Sequence, residues 1–251
     1  MAFVEVRNVS KSFASTKGSR DVLSGIHLSV EEGEFVSIVG CMGSGKSTFM
    51  NILSGLMKAD SGTVTIGGQP VTGIHPKASV VFQNYSLLPW FSALENVRLA
   101  VEAAHSEWPR SQQIEQSRKF LETVGLGNAL HKRPSQLSGG MRQRVAIARA
   151  FATEPSILFM DEPFSALDAL TREEMQRFLV DVWKETKKTV VYVTHNVAEA
   201  VYLADRVIVF SPHPGTVKAQ VKIALPRPRD TLSVEFLEYQ KEIVSHIVER
   251  K

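Results

Sequence analysis

The stretch GCMGSGKST, residues 40–48, follows the apolar run EFVSIV and leads into FMNILSGL. Its spacing, G-x-x-x-x-G-K-[ST], leaves the backbone few choices: a strand delivers the chain, glycines turn it, and a helix carries it away. Gly40, Gly43 and Gly45 let the loop turn tightly with its N–H groups pointing inward, and a helix beginning near Lys46 aims its positive end at an anion. Lys46 is then placed to reach the β- and γ-phosphates of a nucleotide, and the Ser47 hydroxyl to bind Mg²⁺. Such a loop holds a phosphate; what is done with the phosphate has to be read from the rest of the chain.

The chain is long enough, at 251 residues with 43% hydrophobic and 22% charged, to bury a core, and too apolar to stay unfolded. A net charge of +3 from 29 basic and 26 acidic residues is too small an excess to indicate a nucleic-acid partner. The densest basic group, Arg142, Arg144 and Arg149, reads as a solvated helix face. Cys41 is the only cysteine, which excludes an internal disulfide and a cysteine zinc site and points to a reducing compartment. The N-terminal residues show no secretory signal pattern, and no apolar run approaches the roughly 18 residues needed to cross a bilayer. If the protein works at a membrane, another chain must span it.

The first third is strand-rich: FVEV, then after a polar loop ASTKGSRD the runs VLSGIHLSV, EFVSIVG and GTVTIGG, which suggest an antiparallel layer around the first core strand. From residue 92 to about 132 the period changes to that of helices, with SALENVRLAVEAA and SQQIEQSRKFLETVG separated at Pro109. After Pro134, SQLSGGMRQRVAIARAFA places Met141, Val145 and Ala148 on one helix face. Then SILFMDE, LTREEMQRFLVDVWKET, TVVYVTH, NVAEAVYLA and DRVIVF alternate strand with helix, the mark of an α/β fold with parallel strands and helical crossovers. PRPRD reads as an extended link to a last amphipathic helix near residues 234–248. The expectation is one domain over 1–251, with residues 1–83 and 155–251 forming the β layer and core and 84–154 an inserted helical subdomain.

Three apolar runs end in polar chemistry: at the Gly40 loop, at Asp161 and Glu162, and at Thr194 and His195. Ligands of open parallel sheets bind outside the carboxyl ends of the strands, so all three sets are expected to face one crevice. Asp161 suits a carboxylate of the magnesium sphere. Glu162 beside it is assigned as the general base that polarises water for attack on the γ-phosphate, and His195 as a γ-phosphate contact. His195 and Glu199 have i, i+4 spacing, but without a second histidine a metal-binding helix is not expected. The segment LSGGMRQR, residues 137–144, adds a second glycine cradle: Ser138, Gly139 and Gly140 open a helix and form another small anion-binding terminus.

These pieces resemble, in order and over nearly the whole chain, the ATPase subunit of an ATP-binding cassette (ABC) transporter. GCMGSGKS matches Walker A, VVFQ with Gln83 the Q-loop, LSGGMRQ the signature, ILFMDEP Walker B, SALD with Asp168 the D-loop, and VTH with His195 the switch histidine. The resemblance implies a P-loop (RecA-like) parallel-sheet core, an N-terminal antiparallel β layer and an inserted helical subdomain. It implies ATP and Mg²⁺ as cofactors, with ATP held by the loop members Cys41, Met42, Ser44 and Thr48 beside the glycines, and Mg²⁺ by Ser47, Gln83 and Asp161. It implies a head-to-tail dimer, homodimer or close paralogue, in which Ser138, Gly139, Gly140 and Gln143 of one subunit meet the nucleotide of the other. Phe13 takes the place of the aromatic that stacks on adenine, where tyrosine is commoner.

The stretch 85–91 has two readings: Leu87, Leu88, Trp90 and Phe91 form either buried core or, as the resemblance offers, the edge of a groove for a helix of the transmembrane permease. The stretches LLPW, SPHPG and LPRPRD are similar to the importer branch for nitrate, sulfonate and taurine. That branch implies a peripheral position on the cytoplasmic face of the bacterial inner membrane, a periplasmic substrate-binding protein as an indirect partner, and no nucleic acid. An exporter or lipid-transport ATPase, a soluble ABC ATPase of repair or translation, and a P-loop kinase stay open as alternatives. Cys41 and Met42 stand where the family often has proline and a small residue; a thiol reagent on Cys41 is expected to block hydrolysis, with bound ATP protecting.

Overall fold

The computed structural model describes residues 2–15 and 18–248. The chain forms two compact units: one from the residues up to His75 together with those from Val182 onward, the other from Pro76–Asp181.

The first unit opens with a long hairpin, β1 (Val4–Ser15) and β2 (Gly18–Val30), paired antiparallel from Val4↔Val30 to Ser15↔Gly18. The expected polar loop over ASTKGSRD is therefore mostly strand, because cross-strand partners such as Phe13↔Arg20 carry the ladder through polar residues; Thr16 and Lys17 lie outside the described residues. β3 (Phe35–Gly40) is buried along its whole length and delivers the chain to the glycine loop and α1 (Lys46–Leu53). β4 (Ser61–Ile66) and β5 (Gln69–Pro70) complete an antiparallel sheet in the order β2-β1-β4-β5.

The second unit begins with β6 (Ala78–Val81), parallel to β7 (Ile157–Asp161). Between them run α2 (Ala93–Ala104), α3 (Arg110–Thr123) and α4 (Gly139–Ala152). α2 starts at a capping box in which Ser92 and Glu95 satisfy each other's backbone N–H groups. Val97, Val101, Leu121, Val145 and Ala148 make a common core for the three helices, and Met141 packs half-buried against it, as the 3.6-residue period requires. α5 (Ala169–Thr186) follows.

The basic group on α4 is not a solvated face. Arg149 is half-buried, a desolvation that lowers its pKa, and its guanidinium donates to the carbonyls of Tyr85 and Ser86. Arg144 donates to the Val124 carbonyl and pairs with Glu174, while Arg142 lies over the Tyr85 ring.

Back in the first unit, β8 (Thr189–Val193), α6 (Val197–Leu203), β9 (Arg206–Phe210), β10 (Val217–Lys222) and α7 (Val234–Ile247) complete the chain. β8 and β9 flank β3 in parallel register, which explains why all three read as unbroken apolar runs. β10 adds antiparallel to β9; its largely exposed sequence VKAQVK gave no strand signal. The expected link 226–230 is extended but firmly held. Arg229, 6% exposed, donates to the carbonyls of Val201 and Ala204 at the end of α6 and to those of Leu225 and Ile223, and Arg227 donates to the Leu203 carbonyl and pairs with Asp205. Burial brings the Arg229 pKa down to about 10, and the carbonyls keep the charge tolerable. Arg229→Met should cost about 2–4 kcal/mol of stability in urea unfolding, since it strands several buried acceptors at once.

Candidate active site

The first unit brings the phosphate loop and the histidine loop to adjacent strand ends. β3 and β8 pair in parallel, Ile38 opposite Val193, so the loop from Gly40 and the loop from Thr194 leave the sheet side by side. Gly43 and Gly45 adopt φ of +79° and +83°, a conformation that favours glycine. A Cβ on Gly45 would sit 2.7 Å from Leu23 Cδ2, and one on Gly40 would sit 2.8 Å from the Phe210 carbonyl oxygen. Lys46, 7% exposed, donates its ammonium to the carbonyls of Gly40 and Cys41 at 2.9 and 3.0 Å. Ser44 is fully buried, and among the described residues its Oγ has no hydrogen-bond partner. A glycine-only turn with a lysine folded over its mouth is a cradle that fits a phosphate group. Ser47 and Thr48 follow on α1, while Cys41 is exposed and Met42 is 96% exposed.

Beside the cradle, Thr194 donates its hydroxyl to Glu199 at 2.5 Å and accepts from the Asn196 backbone, which fixes the turn that carries His195. Glu199 is thus a buried anchor of that turn. Phe13 is 40% exposed on β1 rather than buried in the core, and Lys11 stands 5.5 Å from its ring centroid.

In the second unit, β7 ends at Asp161 and Glu162, and Glu162 holds a left-handed φ of 45°. Its carbonyl accepts from both the backbone and the hydroxyl of Ser165, and Ser165 in turn accepts from the Gln83 amide at 3.2 Å. Gln83, the residues after β7 and the SALD turn are therefore one connected group. Asp168 caps α5 by accepting from the Thr171 N–H at 3.0 Å, and that bond holds its carboxyl below the ordinary carboxylate range. Ser138 caps α4, accepting from the Met141 N–H. Ser138, Gly139, Gly140 and Asp168 line a cleft of about 590 Å³. A Cβ on Gly140 would meet Thr171 at 2.8 Å, so glycine keeps this cleft open. Gln143 is fully buried and outside that lining.

The 85–91 stretch divides between its two readings. Leu87 packs against the helical core, and Trp90 is 62% exposed. Two residues outside the expected site hold its shape: Asn96, whose amide donates to the carbonyls of Leu88, Phe91 and Ser92 and accepts from Leu88, and Arg149, which the sequence suggested was solvated and which secures Tyr85 and Ser86 at their positive φ. An apolar loop followed by a buried polar residue on the next helix was the available sign.

A glycine cradle after a buried parallel strand, with a lysine over its mouth and a second glycine-fronted helix elsewhere, defines a P-loop nucleotide-binding ATPase. Residues 23–165 match the family described as ABC transporter. A bicarbonate transport ATP-binding protein of Synechocystis sp. is 44% identical over 230 residues, covering 91% of this chain and 82% of that one. A nitrate import ATP-binding protein of Synechococcus elongatus is 46% identical over 233 residues, covering 92% and 85%. The dimeric post-hydrolysis structure of the ATP-binding cassette MJ0796 bound to ADP and Pi superposes with a TM-score of 0.79 at 34% identity, over 89% of this chain and 100% of that one. The chain belongs to the ABC transporter family and is one of its ATPases.

Proposed function

We propose that this ATPase powers an importer of a small inorganic or organic anion. The observation that carries the reading is the 44–46% identity to ATP-binding proteins named for bicarbonate transport and nitrate import, in a chain whose phosphate cradle is intact. In this reading ATP binds with its base on Phe13 and its phosphates on residues 40–48. Glu162 takes a proton from the water that attacks the γ-phosphorus, the bond to the β–γ bridging oxygen breaks, and ADP and phosphate leave; His195 orients the γ-phosphate. Ser47, Gln83 and Asp161 each carry an oxygen of the kind Mg²⁺ takes and would be its protein ligands, the ion neutralising phosphate charge when bound. The Ser138–Gly140 cleft receives the nucleotide of a second ATPase subunit, Asp168 lies at the same junction, and Gln143 supports the signature helix from within. Because ATP then touches both subunits only when they close, its binding favours the closed pair.

The remaining partners follow the same reading. Residues 85–91, with Trp90 exposed and the backbone braced by Arg149 and Asn96, offer the docking edge for a transmembrane permease subunit. Among the described residues no helix is long and apolar enough to cross a membrane, so the ATPase would sit peripherally on the cytoplasmic face of the inner membrane, linked to a periplasmic binding protein only through the permease. Vesicles reconstituted with the ATPase, its membrane subunits and the binding protein test this: nitrate, bicarbonate or a sulfonate should stimulate ATP hydrolysis. Stimulation by lipids or hydrophobic compounds alone would make the protein an exporter ATPase.

A further inference from the structure

Four residues of the first unit connect the base-stacking position to the phosphate loop. Phe13 and Arg20 are direct partners across β1 and β2, so their side chains lie on one face of the hairpin. Further along β2, Val22 and Leu23 both reach the phosphate loop, with Val22 Cγ1 3.2 Å and Leu23 Cδ2 2.7 Å from where a Cβ on Gly45 would be. β2 therefore runs beside the phosphate loop, its register with β1 shifting between Asp21 and Leu23. Arg20 Nη2 lies 3.2 Å from Nδ1 of His213. A guanidinium has no acceptor, so in this contact Arg20 donates and the imidazole nitrogen accepts. His213, at a φ of 44°, rests its Cε1 3.2 Å from the Cβ position of Gly43. Its loop is fastened to β2 by the Gly215 N–H donating to Val22 and the Ser24 N–H donating to Gly215. Among the described residues Arg20 pairs with no carboxylate, so its charge is uncommitted to the protein.

We infer that Arg20 is a further nucleotide-contacting residue, set by His213 between the base on Phe13 and the glycine loop, where its guanidinium donates to the α-phosphate. The proposal rests on the nucleotide-binding reading above. An arginine placed there engages ATP and ADP alike, because both carry the α-phosphate, and His213 acts as a positioning residue by orienting the guanidinium. The contact is made equally in the ground and transition states, so its loss falls on KM and not on kcat.

Calorimetric titration of ATP and ADP into the wild-type chain, Arg20→Ala, Arg20→Lys, His213→Ala and Lys46→Ala tests it. Arg20→Ala should weaken ATP and ADP alike by about tenfold, Arg20→Lys should recover part of that loss, and His213→Ala should show a smaller deficit. The melting temperature of nucleotide-free Arg20→Ala should equal that of wild type. Wild-type affinity of Arg20→Ala for ADP, in an assay where Lys46→Ala loses binding, overturns the proposal alone. If Lys46→Ala also binds normally, the nucleotide-site reading fails with it. A lowered melting temperature with unchanged affinity would make Arg20 a structural residue and equally overturn the assignment.

Discussion

Glu162→Gln should lower ATP hydrolysis by about 10²- to 10⁴-fold while leaving ATP binding intact. The substitution is isosteric, and the backbone around it is fixed independently of the carboxylate: Ser165 donates twice to the Glu162 carbonyl, from N–H at 3.2 Å and from Oγ at 2.9 Å. Glu162 occupies a left-handed φ of 45°, sparsely populated for a non-glycine residue, and such outliers gather at active sites where the surrounding structure enforces them. What changes on substitution is therefore the proton acceptor. Two chains should still pair when ATP is added, and the pair should live longer because the step that dissolves it is slow. Single-turnover hydrolysis and light scattering with ATP read the two effects; hydrolysis at the wild-type rate would remove Glu162 as the base.

Gly215→Ala should weaken ATP binding, although residue 215 lies far from the glycine loop in sequence. A Cβ on Gly215 would be 2.2 Å from the Ser44 carbonyl oxygen, closer than any real contact allows. Neither side can yield easily. Gly215 is pinned to β2 through Val22 and Ser24, and the Ser44 N–H is itself bonded to the Cys41 carbonyl. The strain is expected to open the loop, with at least a tenfold rise in the dissociation constant for ATP. Isothermal titration checks this, and wild-type affinity in a folded variant would show that the loop tolerates the shift.

Much of the site was legible because its chemistry is local. The glycine loop that leads into α1, the Ser138 cap of α4 and the acidic pair at the end of β7 are each encoded within a few consecutive residues. The alternating strands and helices after residue 155 were legible for the same reason: buried parallel strands are continuous apolar runs. What escaped depends on long-range partners. The β1–β2 ladder runs through the polar residues at 18–21 because Ser12, Phe13, Ala14 and Ser15 pair with them, not because of any local preference. Arg149 and Arg229 look like surface charges in the sequence, and only the fold brings carbonyls to them. The SPHPG stretch served as a mark of the importer branch, whereas in space its His213 and Gly215 brace the phosphate loop.

In the proposed function ATP hydrolysis does its work on a membrane partner. Extraction of the tagged chain from native membranes in mild detergent, followed by mass determination of the intact complex, tests it most directly. The expected result is two copies of this chain, or one with a close paralogue, bound to two membrane-spanning subunits. Recovery of the chain only in soluble complexes, with no membrane-spanning partner, would contradict it.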